Sequence, residues 1–122
     1  MLWRYRPALA IPELLRALPQ AAPESSLLLT RSASQAIVMA LDSVAGCPGA
    51  VALPGYTCLR VVQAVLAAGR RPHFVDISPS SGLMDEAKLK LPQEGLVAVI
   101  GTHLFGLPCD VSNLRALVGG EV

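Results

Sequence analysis

Short, unbroken apolar runs alternate with stretches of helical spacing along most of this chain. The runs are Leu27–Thr30, Ala50–Leu53, Phe74–Val75 within a strand predicted over Pro72–Ile77, and Leu96–Ile100. Between the first two, Ile37, Val38, Ala40, Leu41 and Val44 recur at helical spacing and predict a helix over Ala36–Val44. Gly46, Pro48 and Gly49 stop it. Cys58–Ala68 predicts a second helix, apolar nearly all round and interrupted by Arg60 and Gln63. Gly69 suits the left-handed residue that ends such a helix. Met84–Leu91 predicts a weaker helix. Asp110 reads as the N-cap of a further helix over Val111–Val118, closed by Gly119 and Gly120. Upstream, Pro12 fits the first turn of a short helix, Pro12–Leu18, and Pro19 and Pro23 make a linker.

The runs are continuous rather than alternating, which marks strands buried on both faces. Alternating with helices, they predict an α/β fold: a mostly parallel sheet with helices on both faces. The buried strand residues are then Leu27–Leu29, Val51–Leu53, Phe74–Val75 and Val97–Ile100. Two regions result, an N-terminal helix and linker over residues 1–25 and the α/β portion over 26–122. Ligands of such sheets bind outside the carboxyl ends of the strands. Four loops leave those ends: Arg31–Gln35, Pro54–Thr57, Asp76–Ser80 and Gly101–Pro108.

Composition narrows the field. Of the 122 residues 52% are hydrophobic and only 16% charged, with a net charge of +1. That excludes disorder and leaves no basic footprint for nucleic acid. No apolar run approaches the ~20 residues of a membrane span, and no clean signal peptide opens the chain. Cys47, Cys58 and Cys109 are odd in number and lack a CxxC, which fits a reducing, cytoplasmic setting without disulfides or zinc.

The loops carry the candidate chemistry. Arg31-Ser32-Ala33-Ser34-Gln35 leads from a strand into a helix, and the free N–H groups there favour an anion such as phosphate. The plainer alternative is that Ser32 or Ser34 is an N-cap. Neither a GxGxxG nor a GxxxxGK[ST] follows any strand, so dinucleotide and P-loop readings lose their support. Tyr56 could line a ring pocket and Thr57 could cap the following helix. Cys58, at a helix start, is either an activated thiol or a small buried hydrophobe. His103 either donates to a ligand or makes a structural hydrogen bond. One histidine alone is not a metal site. Lys88 and Lys90 lie in a polar DEAKLKL stretch and read as solvated.

Taken together, three segments resemble, in order, the DegT/StrS family of sugar aminotransferases: SASQAI, PGYTCLRVVQAVLAAGRRPHFVDI and VIGTHLFGLPCDVSNLRAL. The resemblance implies the N-terminal part of a pyridoxal 5'-phosphate (PLP) transferase large domain of fold type I. It places Ala33, Ser34 and Gln35 at the PLP phosphate, and Tyr56, Cys58 and His103 around the cofactor pocket. Cys58 stands where many members carry an aromatic residue over the pyridine ring. The resemblance further implies a homodimer, a keto-sugar nucleotide substrate and an amino-acid donor. The family's Schiff-base lysine and the acid that pairs with the pyridine nitrogen come later than these segments, and Lys88 and Lys90 do not match that lysine. No catalytic residue is therefore expected within these 122 residues. The alternative is a shortened, non-catalytic α/β module used for binding or assembly.

Overall fold

The computed structural model describes residues 28–44, 49–90 and 95–117. The order of elements is α1 (Ala33–Ser43), β1 (Ala50–Pro54), α2 (Leu59–Ala67), β2 (Arg71–Val75), a 3-10 turn at Glu86–Lys88, β3 (Leu96–Val99), a 3-10 turn at Leu104–Gly106 and α3 (Val111–Leu117). The three strands form one sheet in the order β2-β1-β3. Both ladders are parallel, which bears out the α/β reading.

β1 is the centre. Its apolar run AVALP is buried at every position, because both of its edges are paired and both of its faces are covered. On one face Val51 packs with Val65 of α2 and Leu41 of α1. On the other, Ala52 packs with Val75, Met84, Cys109 and Leu114. Gly49 permits close approach at the start of the strand, since a Cβ there would run into Val97. Gly69 ends α2 at φ +66°, as its position in the sequence predicts.

Several expectations are corrected. Residues 28–30 form no strand, and Leu28 and Leu29 are exposed. With both edges of β1 taken, that short run has no ladder beside β1 to join. Leu28 and Thr30 instead flank a groove along Ala36, Met39 and Ala40 of α1. The helix expected over Met84–Leu91 shrinks to the turn at Glu86–Lys88. Met84 is held in an isolated antiparallel bridge to Ile77, and Asp85 caps the turn through Ala87 N–H. Phe74 is 54% exposed, because β2 is an edge strand and the described residues leave that side chain uncovered. The β3 residues are half-buried for the same reason. The predicted helix Pro12–Leu18 lies outside the described residues.

Candidate site at the carboxyl ends of the strands

α2, which follows β1, packs on one face of the sheet and α3, which follows β3, on the other, so the connections that leave these neighbouring strands turn apart. That is the topological switch point where open α/β sheets bind ligands. Across it Thr57 Oγ1, after β1, meets Thr102 Oγ1, after β3, at 3.3 Å. Thr57 was expected to cap α2. The N-cap is Cys58, which makes no side-chain capping bond, and the Thr57 hydroxyl joins the two loops instead. Gly55 N–H donates to Val75 O at 2.7 Å, tying the turn after β1 to the end of β2.

α1 reaches the same end of the sheet. Arg70, just before β2, donates to the Leu41 and Val44 carbonyls at 3.2 Å each. These bonds hold the carbonyl end of the last helical turn, where Leu41 O also accepts from Val44 N–H, and fix that turn at the amino-terminal end of the sheet. An α-helix of 11 residues is ~16 Å long, about the length of a five-residue strand. Its first turn therefore lies toward the carboxyl ends.

That first turn is a reciprocal cap. Ser32 Oγ accepts from Gln35 N–H at 3.2 Å, and Gln35 Oε1 accepts from Arg31 N–H at 3.1 Å. The sequence left Ser32 and Ser34 as competing caps, and Ser32 is the one used. The N–H groups of Ala33 and Ser34 and the Ser34 hydroxyl have no partner among the described residues. No acidic side chain occupies the first turn, so the positive end of the helix dipole is uncompensated.

On the opposite loop, Phe105 faces Tyr56 with ring centroids 6.3 Å apart and planes tilted by 36°. Phe105 is 82% exposed and sits at φ +52°, the one non-glycine residue with positive φ among the described residues. His103 Nδ1 accepts from Cys109 N–H at 2.8 Å. This is the structural bond that the sequence offered as one of two roles for His103.

The sequence profile of the DegT/DnrJ/EryC1/StrS aminotransferases matches residues 16–120. The chain belongs to that family. It is 33% identical over 88 residues to a UDP-N-acetyl-3-dehydro-alpha-D-glucosamine 3-aminotransferase of Acidithiobacillus ferrooxidans, covering 70% of this chain and 24% of that protein. It is 33% identical over 85 residues to protein MosB of Rhizobium meliloti, covering 68% and 17%. Among solved structures, the sugar aminotransferase CalS13 from Micromonospora echinospora superposes with a TM-score of 0.60 at 30% identity, covering 73% of this chain and 24% of that one. DesV of S. venezuelae superposes with a TM-score of 0.63 at 24% identity, covering 71% and 24%. The chain thus spans a quarter or less of the length of these relatives.

The remaining polar residues are placed as follows. Lys88, read as solvated, donates to Asp76 Oδ2 at 2.9 Å and lies 3.7 Å from Asp85 Oδ2. The hydrogen bond from Lys88 holds the Asp76 carboxyl below its usual range and raises the ammonium above its own. Lys90 is exposed. Cys58 is exposed and Cys109 is buried, and burial pushes the Cys109 thiol up. Asp110 caps α3 through Asn113 N–H at 3.0 Å, as predicted. Among the described residues no group of acidic, histidine and cysteine side chains could hold a metal, and no helix could cross a membrane. Thr102, Phe105 and Arg70 escaped the sequence reading. The Phe105-Gly106 pair within a turn was the available signal for the second.

Proposed function

We propose that the protein carrying this chain is a PLP-dependent aminotransferase acting on a nucleotide-linked keto-sugar, with an amino acid as donor. The observation that carries the reading is the meeting of the loops after β1 and β3 at the carboxyl ends of a parallel sheet, in a chain that belongs to an aminotransferase family. The relatives named as sugar aminotransferases support the substrate class. The family also makes a homodimer the assembly we propose.

The residues present fit the cofactor. Ala33 and Ser34 would receive its phosphate through their free N–H groups and the Ser34 hydroxyl, at a helix start that favours anions. Gln35 takes part through its side of the cap, since its own N–H is used by Ser32 Oγ. Tyr56 and Cys58 would border the ring from the loop after β1, and His103 from the loop after β3. When bound, PLP supplies the electron sink for moving an amino group between carbon skeletons. These side chains only bind and orient it. Lys88 is held by Asp76 at 2.9 Å and does not match the family's Schiff-base lysine, so we assign that amine and the ring-nitrogen acid to parts of such proteins that this chain does not match.

The test is PLP and inorganic phosphate titration of Ser34 variants. Ser34→Ala should weaken PLP binding about fivefold, the worth of one hydrogen bond of ~1 kcal/mol. Ser34→Asp should weaken both ligands more, by setting a negative charge at the helix start. Unchanged affinity in the Asp variant would refute the cradle.

A further inference from the structure

We propose that His103 is a positioning residue whose neutral, Nε2-protonated imidazole latches the loop after β3 and so seats Phe105 against Tyr56. The inference concerns the latch itself and stands apart from the choice of cofactor.

The bond fixes the tautomer. Nδ1 accepts from Cys109 N–H at 2.8 Å, so Nδ1 carries no proton and the ring proton is on Nε2. Nε2 has no partner among the described residues. The far side of the latch is anchored in the core. Cys109 buries its side chain with Ala52, Val75 and Leu114, which sets its amide in place relative to the sheet. His103 therefore docks the loop after β3 onto a donor anchored in the core.

What the latch holds is strained. Between its two ends the chain makes a tight turn, with Leu107 N–H on Leu104 O at 2.8 Å. Within that turn Phe105 is at φ +52°. A bulky residue in the left-handed region persists only where surrounding structure over-determines it. Two constraints do so here, the imidazole latch and the contact with Tyr56. A second proton on the imidazole would place an Nδ1–H against the Cys109 N–H, two donors face to face, and the latch would open.

The charged and titratable groups near it are few. Asp110 and Glu86 are carboxylates whose charge reaches Cys109. The Cys109 thiol is beside the latch, and the Tyr56 phenol belongs to the ring that Phe105 contacts. None of them replaces His103 as acceptor for the Cys109 amide.

The experiment is nitrogen-15 NMR of the whole protein, with two variants. In the wild type, the His103 ring should give the Nε2–H signature. The Cys109 amide should shift with the same midpoint as the imidazole, and Tyr56–Phe105 ring contacts should fade as the second proton binds. His103→Asn can offer an acceptor where Nδ1 stood and should keep the Cys109 amide protected while abolishing its titration. His103→Gln sets its amide further out and should leave the Cys109 amide exchanging about five- to tenfold faster. An Nδ1–H tautomer in the wild type, a Cys109 amide blind to the imidazole titration, or identical behaviour of the two variants would each overturn the proposal. The wild-type measurement decides even where a variant fails to fold.

Discussion

Placing a methyl group at Gly101 tests the packing beneath the cleft. An ideal Cβ there stands 2.8 Å from Cys109 Sγ, 3.2 Å from Leu114 Cδ1 and 3.6 Å from Cys109 Cβ. The first distance is shorter than side chains tolerate, and both obstructing residues are buried, so they have little room to yield. Inserting a methyl into a packed core costs about 1–3 kcal/mol. The same change restricts the unfolded chain and returns about 0.4–1 kcal/mol. Gly101→Ala should therefore lose about 1–2 kcal/mol net by these two terms. Cys109→Ala alone should lose about 1 kcal/mol, on the scale of removing one methyl-sized group. In the double variant the sulfur contact is gone while the Leu114 contact remains. It should be more stable than the sum of the single losses by about 1 kcal/mol, a coupling that a double-mutant cycle resolves. Urea unfolding followed by circular dichroism gives all four values. A neutral or stabilising Gly101→Ala, or strictly additive losses, would refute the argument that the Cys109 side chain fills the space beside Gly101.

Two further outcomes can be checked separately. Cys58 is exposed, whereas Cys109 is buried with its thiol pushed up, so iodoacetamide at neutral pH should label Cys58 about tenfold faster or more; peptide mapping that finds equal rates would contradict the burial. The Asp76–Lys88 pair should favour the folded state above the ordinary carboxylate range, and that contribution should fade as pH falls through the lowered Asp76 value. On the alkaline side it should fade as pH rises through the raised Lys88 value, so subtracting the Asp76→Asn stability profile from that of the wild type should leave a plateau between the two.

The central strand and its flanking helices were legible because their signal is local. The run AVALP is buried at every position, and Gly69 ends its helix at positive φ, as each reads in the sequence. Leu27–Leu29 carries the same apolar signal as β1, yet Leu28 and Leu29 are exposed. Apolarity alone does not say whether a free strand edge is within reach. The cleft followed the same division. Ser32, Tyr56 and His103 stood out by residue type and position after a run. The Thr57–Thr102 contact and the Tyr56–Phe105 pair join residues far apart in the chain, and no periodicity encodes that. Lys88 is exposed as read, but its pairing with Asp76 was not legible, because the two lie 12 residues apart in the chain.

The position of β1 also sets an order of events in synthesis. Its pairing with β2 closes within one compact strand-helix-strand unit, whereas its pairing with β3 must wait for the whole connection from Asp76 to Gly95. Local contacts form ahead of distant ones, so a nascent chain leaving the ribosome docks α2 and β2 first. Until β3 emerges, the most apolar strand of the molecule presents one bare ladder of N–H and C=O groups, the feature by which chains stick to one another. The arrival of β3 is thus what ends this exposure, and substitutions that delay β3 should lower the yield of soluble protein before they alter the finished fold.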